Sequence, residues 1–307
     1  MNYELLDYSA IMMVRTSRLG GAMKSYCVIG WSLIAAHIAA AAAFAPEGWS
    51  ASAGALLGAF YLGFIWLVSG LYVAHILHMG IAHRAIEFKI WFIDTISVVN
   101  AVAGIYVDPR AWVNRHRHHH AFSDKPGDPS KLGTEGFWKT LTLCFAPRPC
   151  KPDLATEAVF QRPALRLVCH PIFPYASQLC SLGLLWLAVL DLVFALALWV
   201  GVRLVAIWVN MIQNFWAHDR RFGERAYPDE PDNSVNITEA LPVIATFSAC
   251  LQNNHHRHAR FARMSHTERQ YDFGLISLRW MNAIGLVRVL PEGEKVPPGL
   301  PLAGTGL

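Results

Sequence analysis

Charged residues are scarce in this 307-residue chain. They make up 16% of it, against about 25% in an ordinary soluble domain, while hydrophobic residues make up 54%. This balance excludes a disordered chain and a coiled coil, and it favours an integral membrane protein. The formal net charge is only +4, which argues against a nucleic-acid partner.

Two common kinds of binding motif are missing as well. The six cysteines form no C-x-x-C pair, so we expect reduced thiols and no thiolate metal site. No G-x-G-x-x-G motif follows a predicted strand, which argues against a built-in dinucleotide site.

The first 26 residues contain no apolar segment with a small-residue cleavage site, so no secretory signal peptide is predicted. Histidine, by contrast, is abundant, with 14 residues.

Long runs without charge predict four transmembrane helices. A crossing helix needs about 20 apolar residues. Shorter apolar stretches at Thr95–Val107 and Ala240–Cys250 predict buried or interfacial helices. Arg203 falls inside the fourth span, where we expect it to pair with a polar group on another helix or to lie near the interface. The predicted spans are 27–45, 52–74, 175–190 and 193–213.

The positions of the basic residues predict the orientation. Of the 26 Lys and Arg residues, 12 fall in 84–166 and 10 in 219–307, and none falls in the connections near 46–51 and 191–192. By the positive-inside rule, both termini face the cytosol, across the inner membrane if the source is bacterial. We expect one all-α, multi-pass domain over 1–307, with a loose Pro/Gly-rich tail over 291–307.

Histidines and amides cluster in four motifs on that same side. Taken singly, each motif has a plain structural explanation: a solvated basic patch, a helix end or a polar turn. Their placement on one face of a membrane whose topology was predicted without them favours a shared metal site. The motifs are His78-x4-His83, His116-Arg117-His118-His119-His120, Asn214-x3-His218 and Gln252-Asn253-Asn254-His255-His256.

The spacing within these motifs predicts two ions rather than one. On an α-helix, residues five apart such as His78 and His83 lie about 140° apart, so we expect them to serve two neighbouring ions. Adjacent pairs such as His119/His120 and His255/His256 also splay apart. Imidazole suits Fe, Zn, Cu or Ni, and two irons with open positions for O₂ fit better than a closed zinc site.

The remaining histidines have weaker assignments. His37 lies inside the first span and is expected in the core or at the lipid interface. We interpret His118 as a supporting or surface residue, and His75 is ambiguous because it lies one turn before His78.

These motifs resemble those of the membrane-bound fatty acyl desaturases. The match covers roughly residues 50–290, and its most specific part is WVNRHRHHHAFSDKPGDP, from Trp112 to Pro129. The sequence from Tyr271 is similar to the family's closing cytosolic helix. The resemblance implies metal ligation by His78, His83, His116, His119, His120, His218, His255 and His256, with Asn214 holding a water.

The resemblance further implies four transmembrane helices under a cytosolic helical cap that holds two iron ions (Fe²⁺/Fe³⁺). O₂ would be the co-substrate for a cis double bond in a long-chain acyl group on CoA, ACP or a membrane lipid. Trp112, Asp124 and Asp128 would shape the acyl tunnel or orient ligands, although turn chemistry explains both aspartates equally well.

Electrons would come from a separate ferredoxin, rubredoxin or cytochrome b5-like donor with its reductase. A basic face could dock that donor or an anionic headgroup, and the positive-inside bias explains the same face equally well. Its residues are Arg115, Arg117, Arg257, Arg260 and Arg263.

The sequence departs from the family pattern at two points. Gln252 stands where the third motif usually has a histidine, so its carbonyl oxygen could be a ligand, or one iron could lack a ligand. The usual acidic residue before this motif is absent from 247–250, which reads FSAC.

Two other functions remain open at this stage. A related di-iron hydroxylase acting on a lipid, alkane or carotenoid would need the same metal site. A membrane metal transporter would carry ionisable residues along a path through its spans. Here the predicted spans and the turn between the last two carry only Asp191, Arg203 and His37, so this function is disfavoured.

Overall fold

The computed structural model describes residues 24–130, 135–267, 269–291, 293 and 295. The basic residues Arg15 and Arg18, and almost all of the predicted loose tail over 291–307, lie outside the described residues.

Three helices within the described residues are long and apolar enough to cross a membrane. They correspond to the predicted spans 27–45, 52–74 and 193–213. The predicted span 175–190 is also helical, but its helix has 17 residues and falls short of the length of the others. The long helices are α1 (Ser25–Ala43), α2 (Ala51–Gly70) with its continuation to Ala82, and α8 (Leu192–Asn214) with its continuation to His218, and the shorter one is α7 (Phe173–Val189).

The four apolar helices form two hairpins, α1 with α2 and α7 with α8, whose ends are set by local capping. Ser50 accepts a hydrogen bond from the Ala53 amide at the start of α2, and Asp191 caps α8 through the Phe194 amide. Leu190 adopts a left-handed conformation between α7 and α8, so α7 ends there. Gly30 lets α1 and α8 approach, because a Cβ there would lie 2.2 Å from the Trp208 ring.

Large apolar side chains cover the outside of these helices. Arg203, in contrast, points between them: it donates to Gln178 Oε1 and Ser181 Oγ on α7 and lies over the Trp199 ring. This confirms the predicted interhelical partner for that charge. The exposed apolar residues, typical of a lipid-facing surface, include Trp31, Leu56, Phe60, Leu179 and Leu187.

The rest of the described chain consists mainly of short helices. A buried apolar core joins these helices, with Ile76, Leu77, Ile93 and Leu278 among its members. The elements are a π-helix (Leu71–Ala82), α3 (Ile90–Ala103), α4 (Pro109–Phe122), α5 (Phe137–Leu143), a 3-10 turn (Ala158–Gln161), α6 (Pro163–Val168), a 3-10 turn (Trp216–His218), α9 (Ala240–Ala245), α10 (Gln252–Arg257) and α11 (Phe273–Ala283).

Two short strands link two of these segments. Strands β1 (Ile86–Phe88) and β2 (Val287–Val289) pair antiparallel, with Ile86 opposite Val289. The pairing ties the segment after the π-helix to the segment after α11, and so holds the ends of both helices together.

The two short apolar stretches behave differently from each other. Thr95–Val107 contains most of α3, which buries Ile96 and Ala101 as predicted. In Ala240–Cys250 only the first six residues are helical. Phe247 and Ser248 then take positive φ angles of 52° and 66°, which a helix cannot accommodate, so the predicted helix is wrong for 246–250.

Candidate metal centre

The eight histidines predicted as ligands converge in two neighbouring groups. The ligand nitrogens of each group lie within 4.8 Å of one another. Four separate parts of the fold deliver them: the end of the π-helix, α4, the 3-10 turn after α8, and α10. The five-histidine group contains His78, His83, His116, His120 and His255, and the three-histidine group contains His119, His218 and His256.

The π-helix explains one wrong prediction. His78 and His83 were expected to serve different ions, yet both belong to the five-histidine group. The His83 amide donates to the His78 carbonyl oxygen at 3.0 Å, an i to i+5 hydrogen bond that belongs to a π-helix and not to an α-helix. The wider turn brings residues five apart onto one face, and the two ring centroids lie 4.9 Å apart.

The adjacent pairs divide between the groups as predicted. His120 belongs to the five-histidine group and His119 to the other, and His255 and His256 divide in the same way. Because neighbours on a helix point in different directions, each pair links the two groups through one backbone segment. The two groups therefore lie side by side.

Ring nitrogens face each other in the five-histidine group. His78 Nε2 lies 2.9 Å from His255 Nε2, which in turn lies 3.0 Å from His120 Nε2. His83 Nε2 lies 2.7 Å from His116 Nε2. Five imidazoles thus direct nitrogen atoms into one small volume, an arrangement that suits a cation between them.

Burial keeps these imidazoles neutral. It lowers the pKa of His83, His116, His120 and His255 well below the usual value, and the neighbouring histidines lower it further. No carboxylate from the described part of the chain belongs to this group. The group therefore offers neutral nitrogen lone pairs, which is the form of histidine that binds transition metals.

The three-histidine group has a different environment, because a carboxylate lies beside each Nδ1. His119 Nδ1 lies 3.0 Å from Asp128 Oδ2, and His218 Nδ1 lies 3.5 Å from Asp124 Oδ2, a long contact. His256 Nδ1 has a short hydrogen bond to Asp232 Oδ2. An Nδ1–H that donates to a carboxylate leaves Nε2 free to bind a metal and makes it more basic.

Asp128 serves the local turn as well as His119. Asp128 also accepts hydrogen bonds from the amides of Asp124 and Ser130. Burial alone would raise the pKa of Asp128, but the contact with His119 and the amides of Ser130 and Asp124 together lower it, so the net shift is downward. The Asp128 carboxylate therefore bonds both to its own turn and to His119.

Sequence reasoning missed Asp232. It lies 24 residues before His256, in a segment that carries no histidine, and its side chain is buried. Its Oδ1 accepts the Ser234 amide, so a local turn fixes the carboxylate that meets His256. Asp128 also accepts a hydrogen bond from the amide two residues later and contacts a histidine, so a comparison with Asp128 is the signal that could have suggested Asp232.

Trp112 and Gln252 both lie close to the two histidine groups. The Trp112 ring stacks on His116, with centroids 4.8 Å apart and planes 12° apart. Gln252 is buried one turn before His256, and its Nε2 donates to the Ala249 carbonyl. That bond fixes the amide plane of Gln252.

The remaining polar predictions have mixed outcomes. Asn214 donates to Asn210 Oδ1, and its proposed water-holding role stays a prediction. His118 is buried and lies 2.7 Å from the Pro152 carbonyl, so it is not a surface residue. His37 is buried against the Gly58 carbonyl, as expected for a core histidine, and His75 lies 2.6 Å from Ser277 Oγ.

Arg117 is not part of an exposed basic face. Its guanidinium is 18% exposed and donates to the carbonyls of Ile81 and Leu154 and to the Glu157 carboxylate. It also donates to Ala82. Arg117, which lies between His116 and His119 on α4, thus holds the carbonyl end of the π-helix. Its interpretation as a docking residue is therefore wrong.

No protein-family model matches the chain, but several curated proteins do. It is 25% identical over 266 residues to a sn-1 stearoyl-lipid 9-desaturase of Anabaena variabilis, covering 84% of this chain and 91% of the relative. It is 23% identical over 307 residues to a protein of the same name from Synechocystis, covering 98% and 91%. A hex-5-enoyl-[acyl-carrier protein] acetylenase of Moorena producens is 26% identical over 258 residues, covering 78% and 76%.

These relatives carry names of enzymes that oxidise acyl chains, and their matches extend over most of the chain. The resemblance found in the histidine motifs is thereby confirmed, and the chain is a relative of the fatty acyl desaturases, which are oxidoreductases.

Proposed function

We propose that this protein is an O₂-dependent fatty acyl desaturase that inserts a cis double bond into a long-chain acyl group. The observation that carries the proposal is the convergence of eight histidines from four distant segments into two adjacent groups. The desaturase relatives support the same reaction class.

The donor set fits two iron ions. Imidazole nitrogens suit first-row metals, and the group of three leaves positions for other ligands. Two irons bound here would supply the reduction of O₂ and the removal of two hydrogens from neighbouring methylenes. Overall, the acyl chain, O₂, two electrons and two protons give the alkene and two waters.

The protein residues orient the ligands and exclude water. Asp128, Asp232 and Asp124 hold the Nδ1 side of the three-histidine group, and Trp112 covers one face of His116. Burial of the ligands keeps bulk water from a strongly oxidising centre. We propose Gln252 Oε1 as a further donor to the three-histidine group, and Asn214 as the holder of a bound water.

The substrate and partners follow from this assignment. A lipid-linked acyl group agrees with the relatives named as acyl-lipid desaturases, and CoA or ACP carriers are the other options. We propose a separate electron donor of the ferredoxin, rubredoxin or cytochrome b5 type. We further propose one domain with four crossings, where α7 supplies the fourth, and with the histidines on the cytosolic side.

Expression in a host without desaturation of its own tests this function. Lipids extracted from such cells should contain a new monounsaturated fatty acid, identified by mass spectrometry, that is absent from cells carrying the empty vector. A hydroxy fatty acid in its place would assign the chain to the related hydroxylases, and unchanged lipids under aerobic growth with a co-expressed donor would contradict the proposal.

The Asp232–His256 contact makes a first prediction about metal affinity. Replacing Asp232 with Asn removes the negative charge while keeping the size, so His256 becomes less basic. We expect affinity for one of two metals to fall about 10–100-fold. Titration of the metal-free protein with Fe²⁺ measures the affinity of the variant and of the wild type. The matched control is Asp229→Asn, because Asp229 is exposed.

Gln252 makes a second prediction. A histidine at this position offers a ring nitrogen in place of the amide oxygen, so Gln252→His should retain both activity and two bound metals. Gln252→Ala removes the donor and should reduce turnover about 10-fold or more together with metal content. Turnover in the Ala variant equal to that of the wild type would show that Gln252 is no ligand.

A further inference from the structure

The last histidine motif contains two asparagines, Asn253 and Asn254, to which the proposed reaction gives no role. Both side chains are fully buried. They lie in α10, which has only six residues and is therefore too short to be a stable helix by itself in water. Yet α10 carries His255 for the five-histidine group and His256 for the three-histidine group. Contacts with other segments must fix its position.

Asn253 binds the backbone of a segment that precedes α10 in the chain. Its Oδ1 accepts a hydrogen bond from the Tyr227 amide at 2.8 Å, and its Nδ2 donates to the Tyr227 carbonyl oxygen at 3.1 Å. One side chain thus pairs with both backbone polar groups of a single residue, as a neighbouring antiparallel strand does. This double contact fixes α10 relative to the loop that contains Tyr227.

Asn254 binds two further segments, one before α10 and one after it. Its Oδ1 accepts from Asn236 Nδ2 at 2.8 Å, and its backbone amide donates to Asn236 Oδ1 at 3.1 Å, so two bonds join these asparagines. Its Nδ2 donates to the Met264 carbonyl oxygen at 2.8 Å and to Gln270 Oε1 at 2.7 Å. Removal of the Asn254 side chain would therefore leave several groups without a partner in the interior.

The segment that binds Asn254 also carries the carboxylate partner of His256. Asn236 lies four residues after Asp232, and Asp232 Oδ2 bonds to His256 Nδ1. Asn254 and His256, two residues apart on α10, thus contact two points of the same segment. The pairing of Asn254 with Asn236 sets the position of α10 at which His256 meets Asp232.

We propose that Asn253 and Asn254 are positioning residues that hold α10 so that its two adjacent histidines supply one ring nitrogen to each histidine group. His255 and His256 point in different directions because they are neighbours on one helix. A rotation or shift of α10 would therefore move nitrogens out of both groups at once. The inference rests on the proposed function and adds to it the residues that set the geometry of both metal positions.

The test titrates metal-free Asn254→Ala with Fe²⁺ under anaerobic conditions. The affinity for both ions should fall by about 10–100-fold, the range expected when the support of a metal ligand is lost. Asp232→Asn differs from it, because that variant is expected to weaken only one of the two. Wild-type affinities in folded Asn254→Ala, or a loss confined to one ion, would overturn the assignment.

Asn100→Ala is the matched control for the loss of a buried asparagine. Asn100 donates to the Ile105 carbonyl oxygen at 2.8 Å and lies outside both histidine groups. Its variant should unfold more easily in detergent yet bind Fe²⁺ like the wild type. If Asn100→Ala lost as much metal affinity as Asn254→Ala at an equal loss of stability, the effect would be one of general folding, and the assignment would be overturned.

A milder pair of variants at Gln270 tests the same contact if Asn254→Ala does not fold. Gln270 is half-buried, and its Oε1 accepts from Asn254 Nδ2. Gln270→Ala removes that acceptor and should weaken the binding of both ions about 2–10-fold, as expected for one hydrogen bond. Gln270→Glu keeps an acceptor oxygen and should retain the affinity that Gln270→Ala loses. Equal affinities in the two variants would overturn the assignment.

Metal titration keeps this inference separate from the proposed reaction, because it needs no turnover. Wild-type protein that binds two metal ions but forms no double bond would remove the proposed function. The affinities of the Asn254 and Gln270 variants would still decide whether the two asparagines position the ligands of α10.

Discussion

Replacing His255 with Ala should lower desaturation by about 1,000-fold or more. His255 Nε2 lies within 3.0 Å of ring nitrogens from both His78 and His120, so it connects the first and second motifs. Its removal takes one nitrogen from the five-histidine group and leaves the others without their common neighbour. Because the uncatalysed removal of hydrogen from a methylene is extremely slow, loss of the oxidant leaves almost no background rate. Product formation in membranes, normalised to protein amount, measures the effect.

His170→Ala is the control for that experiment. His170 is exposed and lies outside both histidine groups, so its variant should retain wild-type product levels. If His255→Ala kept a substantial fraction of wild-type turnover while folding normally, the five-histidine group would have no part in the reaction.

The second large effect is expected at Arg117. Its guanidinium donates to the Ile81 and Leu154 carbonyls at 2.6 Å each and to Glu157, so Arg117→Met leaves several acceptors without a donor. Breaking a buried ion pair costs about 3–5 kcal/mol, and the partial exposure of this pair reduces the expected loss to about 2 kcal/mol. Thermal or denaturant unfolding in detergent should show that loss of stability.

Arg117 should also affect the metal site, because it holds the end of the π-helix that carries His78 and His83. We therefore expect Arg117→Met to bind less metal than Arg117→Lys, which keeps a positive charge. The matched control is Arg288→Met: Arg288 pairs with Glu87 at the surface, where such pairs contribute about 0–1 kcal/mol. Equal stability of the Arg117→Met and Arg288→Met variants would contradict the proposed role of Arg117 in holding the end of the π-helix.

The sequence predicts the gathering of the histidines because much of their geometry is local. Stretches without charged residues predict the positions of the spans. His116 and His120 lie four residues apart on one helix, so their side chains share a face and come into contact. The division of His119 from His120, and of His255 from His256, also follows from helix geometry alone. Each of these inferences needs only the residues within one segment.

At the candidate metal centre, the predictions that failed or were missed depend on contacts between segments or on a change of helix type. The π-helix that unites His78 and His83 has no signature in the five-residue spacing, which was interpreted on α-helical geometry. Asp232 meets His256 only after the chain between them has folded. Arg117 looks like any basic residue of a positive-inside face until the π-helix lies against it.

The amount of metal in purified protein tests the central claim most directly. Protein expressed with adequate iron and purified in detergent should contain two transition-metal ions per chain, measured by inductively coupled plasma mass spectrometry. Iron should be the most abundant of the bound metals. His255→Ala should contain fewer. Well-folded wild-type protein without a stoichiometric transition metal, even after incubation with Fe²⁺ under anaerobic conditions, would contradict the account.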